Sequence, residues 1–136
     1  MLEGCTPFPA EFAERYVREG IWRRETIPQA LVSVARARAD AVAVADSTRS
    51  LTYSQLIAEA GRLAGLLSRN GIARNDRVII QLPNCVEFAT LTIACLEVGA
   101  LPVMALPAFR RAELEYLVSF SDAKAIAIAP GYRGFD

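Results

Sequence analysis

The groups whose types and spacing could do chemistry are few. Arg110-Arg111 is a guanidinium pair of the kind that suits a phosphate. Such a pair also fits the solvated first turn of a helix, with Glu113 or Glu115 as partners, and that reading is preferred here. Gly131 and Gly134 in "PGYRGFD" have G-x-x-G spacing, as some phosphate loops do, but neither a helix nor a Lys follows, so a surface turn is the better reading. Cys85 and Cys95 could be nucleophiles only if something lowered their pKa, and no His or basic residue neighbours them in their segment. As small buried hydrophobes they fit the apolar run better. Asn84 stands at the carboxyl end of an apolar strand-like run, where α/β proteins bind ligands. The preferred reading is an N-cap, with Glu87 at the N3 position of a capping box. Histidine is absent altogether, which removes the commonest general base and metal ligand. The sequence therefore assigns no catalytic, cofactor-binding or metal-ligating residue.

The elements that must position these groups follow from periodicity. "PFPAEFAERYVREGIW" reads as a short amphipathic helix ending at Gly20, with Tyr16 and Trp22 expected to pack it against the body. Thr26 can cap a second helix from Pro28 to about Ala39. "AVAVADSTRSLTY" predicts two short strands joined by the polar turn Asp46-Ser47-Thr48-Arg49. Thr52 and Gln55 have capping-box spacing ahead of a helix that Asn70-Gly71 stops. From there the pattern is strand (77 to 82), helix (85 to 98), strand (101 to 106), helix, and strand (124 to 129). Such alternation predicts right-handed βαβ crossovers and a parallel sheet.

Composition bounds the rest. The chain has 136 residues, 53% of them hydrophobic, and a net charge of zero, so no global basic face marks a nucleic-acid or acidic membrane surface. Three cysteines without C-x-x-C spacing predict a reducing compartment, and no run reaches the ~18 apolar residues a membrane span needs. With no signal-peptide pattern, the expected location is cytoplasmic. The helix 85 to 98 is apolar nearly all round, so it should be buried on more than one side. Three strands cannot supply that cover, and the last strand has no covering helix after it. Both features predict an incomplete part of a larger α/β protein, with a helical extension at 1–40 and the first α/β portion at 41–136.

The stretch "LTYSQLIAEAGRLAGLLSRNGIARNDRVIIQLPNCVEFATLTIACLEVGALPVMALP" resembles the early part of the acyl-adenylate-forming superfamily. The matching elements are Leu-Thr-Tyr-x-x-Leu, Gly-Ile-x-x-x-Asp-x-Val, Leu-Pro-Asn-x-x-Glu-Phe and Gly-Ala, in that order. "FPAEFAERYVREGIW" and the segment from Leu101 onward resemble its aryl-acid branch, the 2,3-dihydroxybenzoate and salicylate AMP ligases of siderophore assembly. Phe109 departs from that branch, which usually has His before the Arg-Arg pair. The resemblance implies, for a complete enzyme, adenylation of an aryl acid with ATP and Mg2+ and transfer of the acyl group to an aryl carrier protein. A carrier protein is a second ligand that Arg110-Arg111 would suit. The superfamily's phosphate loop, ribose-binding motif, magnesium segment and catalytic Lys lie outside these residues, so the chain is expected to be inactive alone, with the remainder of the enzyme as its partner. Two alternatives are a non-catalytic remnant or assembly subunit, and a small Rossmann-like binding module. The latter is disfavoured because no glycine-rich turn follows any strand.

Overall fold

The computed structural model describes residues 5–131. Two helices, α1 (Ala10–Arg18) and α2 (Ile27–Arg38), precede a hairpin of β1 (Val42–Ala45) and β2 (Ser50–Thr52). Helix α3 (Tyr53–Arg69) leads into β3 (Arg77–Gln81), α4 (Val86–Val98), β4 (Leu101–Met104), α5 (Arg111–Ser121) and β5 (Ala123–Ile128). The expected α/β class, antiparallel hairpin and parallel sheet are all present, and the sheet order is β4-β3-β5.

Strand β3 is the centre of the structure. Val78, Ile79 and Ile80 are at most 1% exposed, which requires cover on both faces of the sheet and explains an apolar run without alternation. On one face Val78 and Ile80 join Ile72, Cys95 and Ala100, with Phe88, Leu91 and Val98 of α4 packed around them. The other face carries Ile79 and Gln81 beneath α5. Because the chain leaves β3 toward β4 and then returns past it to β5, right-handed crossovers must put α4 and α5 on opposite sides.

Small residues bring the helices together. Leu56, Ala60 and Ala64 form the buried stripe of α3, and its contact with α4 is the most extensive between any two helices. Alanines at i and i+4 let the two backbones approach closely. Thr90 of α4 is buried and donates its hydroxyl to the Val86 carbonyl at 2.8 Å.

The capping boxes at Thr26–Gln29 and Thr52–Gln55 form as their spacing requires. Gly20, Gly71 and Gly99 take positive φ at the ends of α1, α3 and α4. The expectation for Tyr16 and Trp22 fails. Among the described residues, helix α1 has no buried residue and no substantial packing partner in the other elements. Its rings instead close on one another, with Phe8 4.9 Å and Tyr16 5.3 Å from Trp22 between centroids. Local aromatic contact within one chain reversal satisfies these side chains, so nothing pulls the helix onto the body.

Two glycines of similar chemistry should respond oppositely to Ala. At Gly99, φ is +77° and an added Cβ would lie 3.3 Å from the Arg74 Cγ, so Gly99→Ala should lower stability by about 1–2 kcal/mol. Gly61 lies inside α3 with ordinary contacts to Glu97, and Gly61→Ala should raise stability by about 0.5–1 kcal/mol. Urea unfolding midpoints of the two variants test both signs.

Candidate functional site

The carboxyl ends of β3 and β5 open onto a crevice of about 790 Å³. Asp46, Ser47 and Thr48 of the hairpin turn form one wall, Leu82 to Cys85 and Glu87 form the second, and Ile128 to Pro130 form the third. This is where an open α/β sheet presents its loops to a ligand.

The head of α4 is held in an unexpected way. The helix begins at Val86, so the N-cap position belongs to Cys85, which makes no side-chain cap. Asn84 lies one residue outside, exposed, and the expected capping role is not formed. The Val86 amide instead donates to Oδ2 of Asp46 at 2.9 Å, forty residues away in sequence. Oδ1 of the same carboxylate accepts from the Thr48 hydroxyl and amide, both at 2.7 Å, and from the Arg49 amide at 2.9 Å. A pre-folded turn thus presents a charged acceptor to the positive helix end, and a neutral local cap is displaced. The Thr48 hydroxyl, then the amides of Val86, Thr48 and Arg49, hold the Asp46 carboxyl well below the usual carboxylate range.

Glu87 does not reach back as a capping-box acid. It pairs with Arg49 at 2.7 Å, while Arg49 also reaches Glu59 of α3 at 3.2 Å. Its own amide, the Cys85 thiol and Arg49 lower the Glu87 pKa. Arg49, raised in turn by Glu87 and then Glu59, ties the hairpin to two helices at once.

Gln81 sits at the tip of β3 and donates its amide to the carbonyls of Leu106 at 3.1 Å and Phe109 at 2.8 Å. It thereby pins the loop between β4 and α5. Beside it lies a second cavity of about 500 Å³, lined by Phe109, Leu114, Val118 and Ile128 with Arg110 and Arg111 at its rim. The arginine pair belongs to the first turn of α5, as expected. The Arg110 amide donates to Glu113, its guanidinium to the carbonyls of Pro107 and Phe109, and Arg111 pairs with Glu115 at 2.6 Å.

Cys95 is buried, and burial pushes its thiol up to about 11; burial also raises Cys85. Neither is a thiolate nucleophile at neutral pH. Gly131 lies in a turn after β5 with φ +64°, and Gly134 falls outside the described residues. Among the described residues no three His, Cys, Asp or Glu side chains converge to hold a metal ion, and no helix is long and apolar enough to cross a membrane. The arrangement holds loop geometry at the strand ends.

Residues 31–133 match the AMP-binding enzyme family model. The chain belongs to the AMP-binding enzyme family. The 2,3-dihydroxybenzoate-AMP ligase of Bacillus subtilis is 40% identical over 136 residues, which is 100% of this chain and 25% of that protein. The salicyl-AMP ligase / salicyl-S-ArCP synthetase of Mycobacterium tuberculosis is 40% identical, over 99% of this chain and 25% of that protein. The apo structure of Mycobacterium smegmatis MbtA superposes with a TM-score of 0.88 at 41% identity, covering 94% of this chain and 24% of that one. The chain thus spans about a quarter of the length of the AMP-binding enzymes it matches.

Sequence reasoning missed Asp46, Arg49 and Gln81. The one readable sign was the D-S-T-R turn, where Asp followed two residues later by Thr favours a side-chain-to-backbone turn.

Asp46→Asn should lower the thermal midpoint at pH 7, and Asn84→Ala should leave it nearly unchanged. The Asp46 carboxyl has a folded pKa below its unfolded value of about 3.8, so its contribution is complete above that pH and is lost as the pH falls toward the folded value. The gap between Asp46→Asn and the parent protein should therefore narrow on acidification below about pH 4. Melting curves from pH 7 to pH 2 check this, and a gap independent of pH would exclude the charged clasp.

Proposed function

We propose that this AMP-binding enzyme chain is the N-terminal segment of an aryl-acid adenylating enzyme. The complete protein would join salicylate or 2,3-dihydroxybenzoate to AMP at the expense of ATP and pass the aryl group to the thiol of a carrier protein, in the cytoplasm, for siderophore assembly. One observation carries this reading. The family model begins at residue 31, whereas the two aryl-acid ligases match essentially the whole chain, including the α1 region ahead of that boundary.

In this reading ATP and Mg2+ are held by the remainder of the enzyme, and this segment contributes shape. Asp46 and Arg49 seat the hairpin on α4, and Gln81 anchors the loop after β4, so two of the walls beside the strand ends are fixed by hydrogen bonds. Nucleotidyl transfer depends on positioning and charge neutralisation more than on a protein nucleophile, so rigid walls matter even where no side chain reacts.

Two measurements of ATP–pyrophosphate exchange test the assignment. The purified chain alone should give only background exchange with either aryl acid. A chimera in which it replaces the matching quarter of the Bacillus subtilis ligase should retain exchange with 2,3-dihydroxybenzoate. Exchange by the chain alone, or a folded chimera without exchange, would overturn the proposal.

A further inference from the structure

Helix α2 rests on α3 and α4 without burying any residue of its own. Between the three helices lies a cavity of about 360 Å³, within the ~300–1,000 Å³ common for small-ligand sites. Ile93 and Glu97 reach it from α4 on the face opposite to Phe88, Leu91 and Cys95, which pack toward β3. Leu31 of α2 and Ile57 of α3 complete its apolar part with Ile93. Ala60, buried where α3 meets α4, is too short to fill the space beneath α2.

The polar groups at this cavity are sorted by sign. Gln29, Ser33 and Arg36 follow one another at i, i+4 and i+7 along one face of α2, and all three line it. The Gln29 Oε1 is already taken by the Thr26 amide, so what this face offers is donors: the Gln29 NH2, the Ser33 hydroxyl and the Arg36 guanidinium. Across from them the Glu97 carboxylate lies over Gly61, 3.9 Å from where a Cβ would stand. Among the described residues neither Arg36 nor Glu97 has an ion-pair partner, so they do not pair with each other. A cation and an anion held apart at one apolar cavity complement a ligand that carries both charges on an apolar body.

We propose that this cavity is a binding site for a free apolar α-amino acid. The ligand's carboxylate meets Arg36 and Ser33, its ammonium group meets Glu97, and its side chain fills the space between Leu31, Ile57 and Ile93. An acid without an amine would leave Glu97 unmatched, and an amine without a carboxylate would leave Arg36 unmatched. The site is distinct from the crevice at the strand ends. Glu87 borders that crevice at the head of α4, whereas Glu97 borders this cavity about 15 Å further along the same helix. An occupant held by Arg36 on one side and Glu97 on the other ties α2 to α4, and because only the folded chain presents both groups, binding stabilises the fold.

The test is titration of the isotope-labelled chain with L-leucine and with L-phenylalanine, followed by NMR. The expected result is saturable one-to-one binding of at least one of them, with amide shifts confined to α2, the middle of α3 and the second half of α4, and a thermal midpoint that rises with ligand concentration. Isocaproate, which lacks the ammonium group of leucine, and L-leucinamide, which lacks its carboxylate, should each bind at least tenfold more weakly. Arg36→Gln and Glu97→Gln should each weaken binding of the amino acid about tenfold, whereas Arg111→Gln, at the cavity beside α5, should not. Both substituted positions are exposed, circular dichroism melts check that the variants are folded, and the ligand series on the unaltered chain reads the same site without any substitution. No saturable binding at millimolar amino acid, truncated analogues that bind as well as leucine, indifference to both variants, or shifts centred on the crevice would each overturn the proposal. Pyrophosphate exchange by the chimera bears only on the aryl-acid reading, so the two proposals fail separately.

Discussion

Strand β3 has no side that faces water, and the rest of the chain is arranged around that constraint. Val78 and Ile80 must be covered from one direction and Ile79 from the other. One helix cannot do both. The chain therefore leaves β3 by one crossover to β4 and comes back by another to β5, which places α4 and α5 on opposite faces. The two polar ends of β3 serve the same arrangement. Arg77 donates to the carbonyls of Ser121 and Asp122 at the end of α5 and pairs with the Asp122 carboxylate at 2.7 Å, where a cation also meets the negative end of the helix. Gln81 holds the loop that precedes the same helix. A strand with an apolar middle and two long polar ends thus fixes both ends of the helix that covers it.

The second layer depends on the hairpin. Leu51 is buried with Leu56 of α3 and Val86 of α4, so β2 closes the gap at the amino ends of both helices. Burial alone would leave the hairpin free to slide, because an apolar contact has no direction. The directional part is supplied by Asp46 on the Val86 amide and by Arg49 between Glu59 and Glu87. Each of these ion pairs is partly exposed and modest when taken singly. Together with the Asp46 turn they determine where the hairpin sits along α4.

Local features were legible in the sequence, and long-range ones were not. Thr26 and Thr52 could be read as caps because the partner, Gln29 or Gln55, lies three residues away in the same string. Gly20 and Gly71 were readable as stops for the same reason. The head of α4 was misread for a physical cause: Asn84 has the correct chemistry and spacing, but a carboxylate from another element arrives at the first amide with a full charge, and the helix starts two residues after Asn84. No pattern within eight residues could show that. Tyr16 and Trp22 were misread in the opposite sense, since rings that suggest a distant partner found one within their own turn. The aryl-acid likeness was visible in ordered motifs spread along the chain.

A family likeness carried by caps, turns and strands has a structural reason. In a parallel α/β sheet the strands deliver loops to one end, and the groups that react need not be on the strands that shape the crevice. Here the loop after β3 is held through Asp46, the loop after β4 through Gln81, and both restraints act largely on main-chain atoms. Main-chain restraints specify where backbone runs and are indifferent to what a neighbouring segment brings to the crevice. A segment of this kind can therefore remain recognisable by its caps, turns and central strand whatever chemistry neighbouring segments bring to the crevice. Phe109 shows the same principle, since its carbonyl rather than its ring is gripped by Gln81 and Arg110.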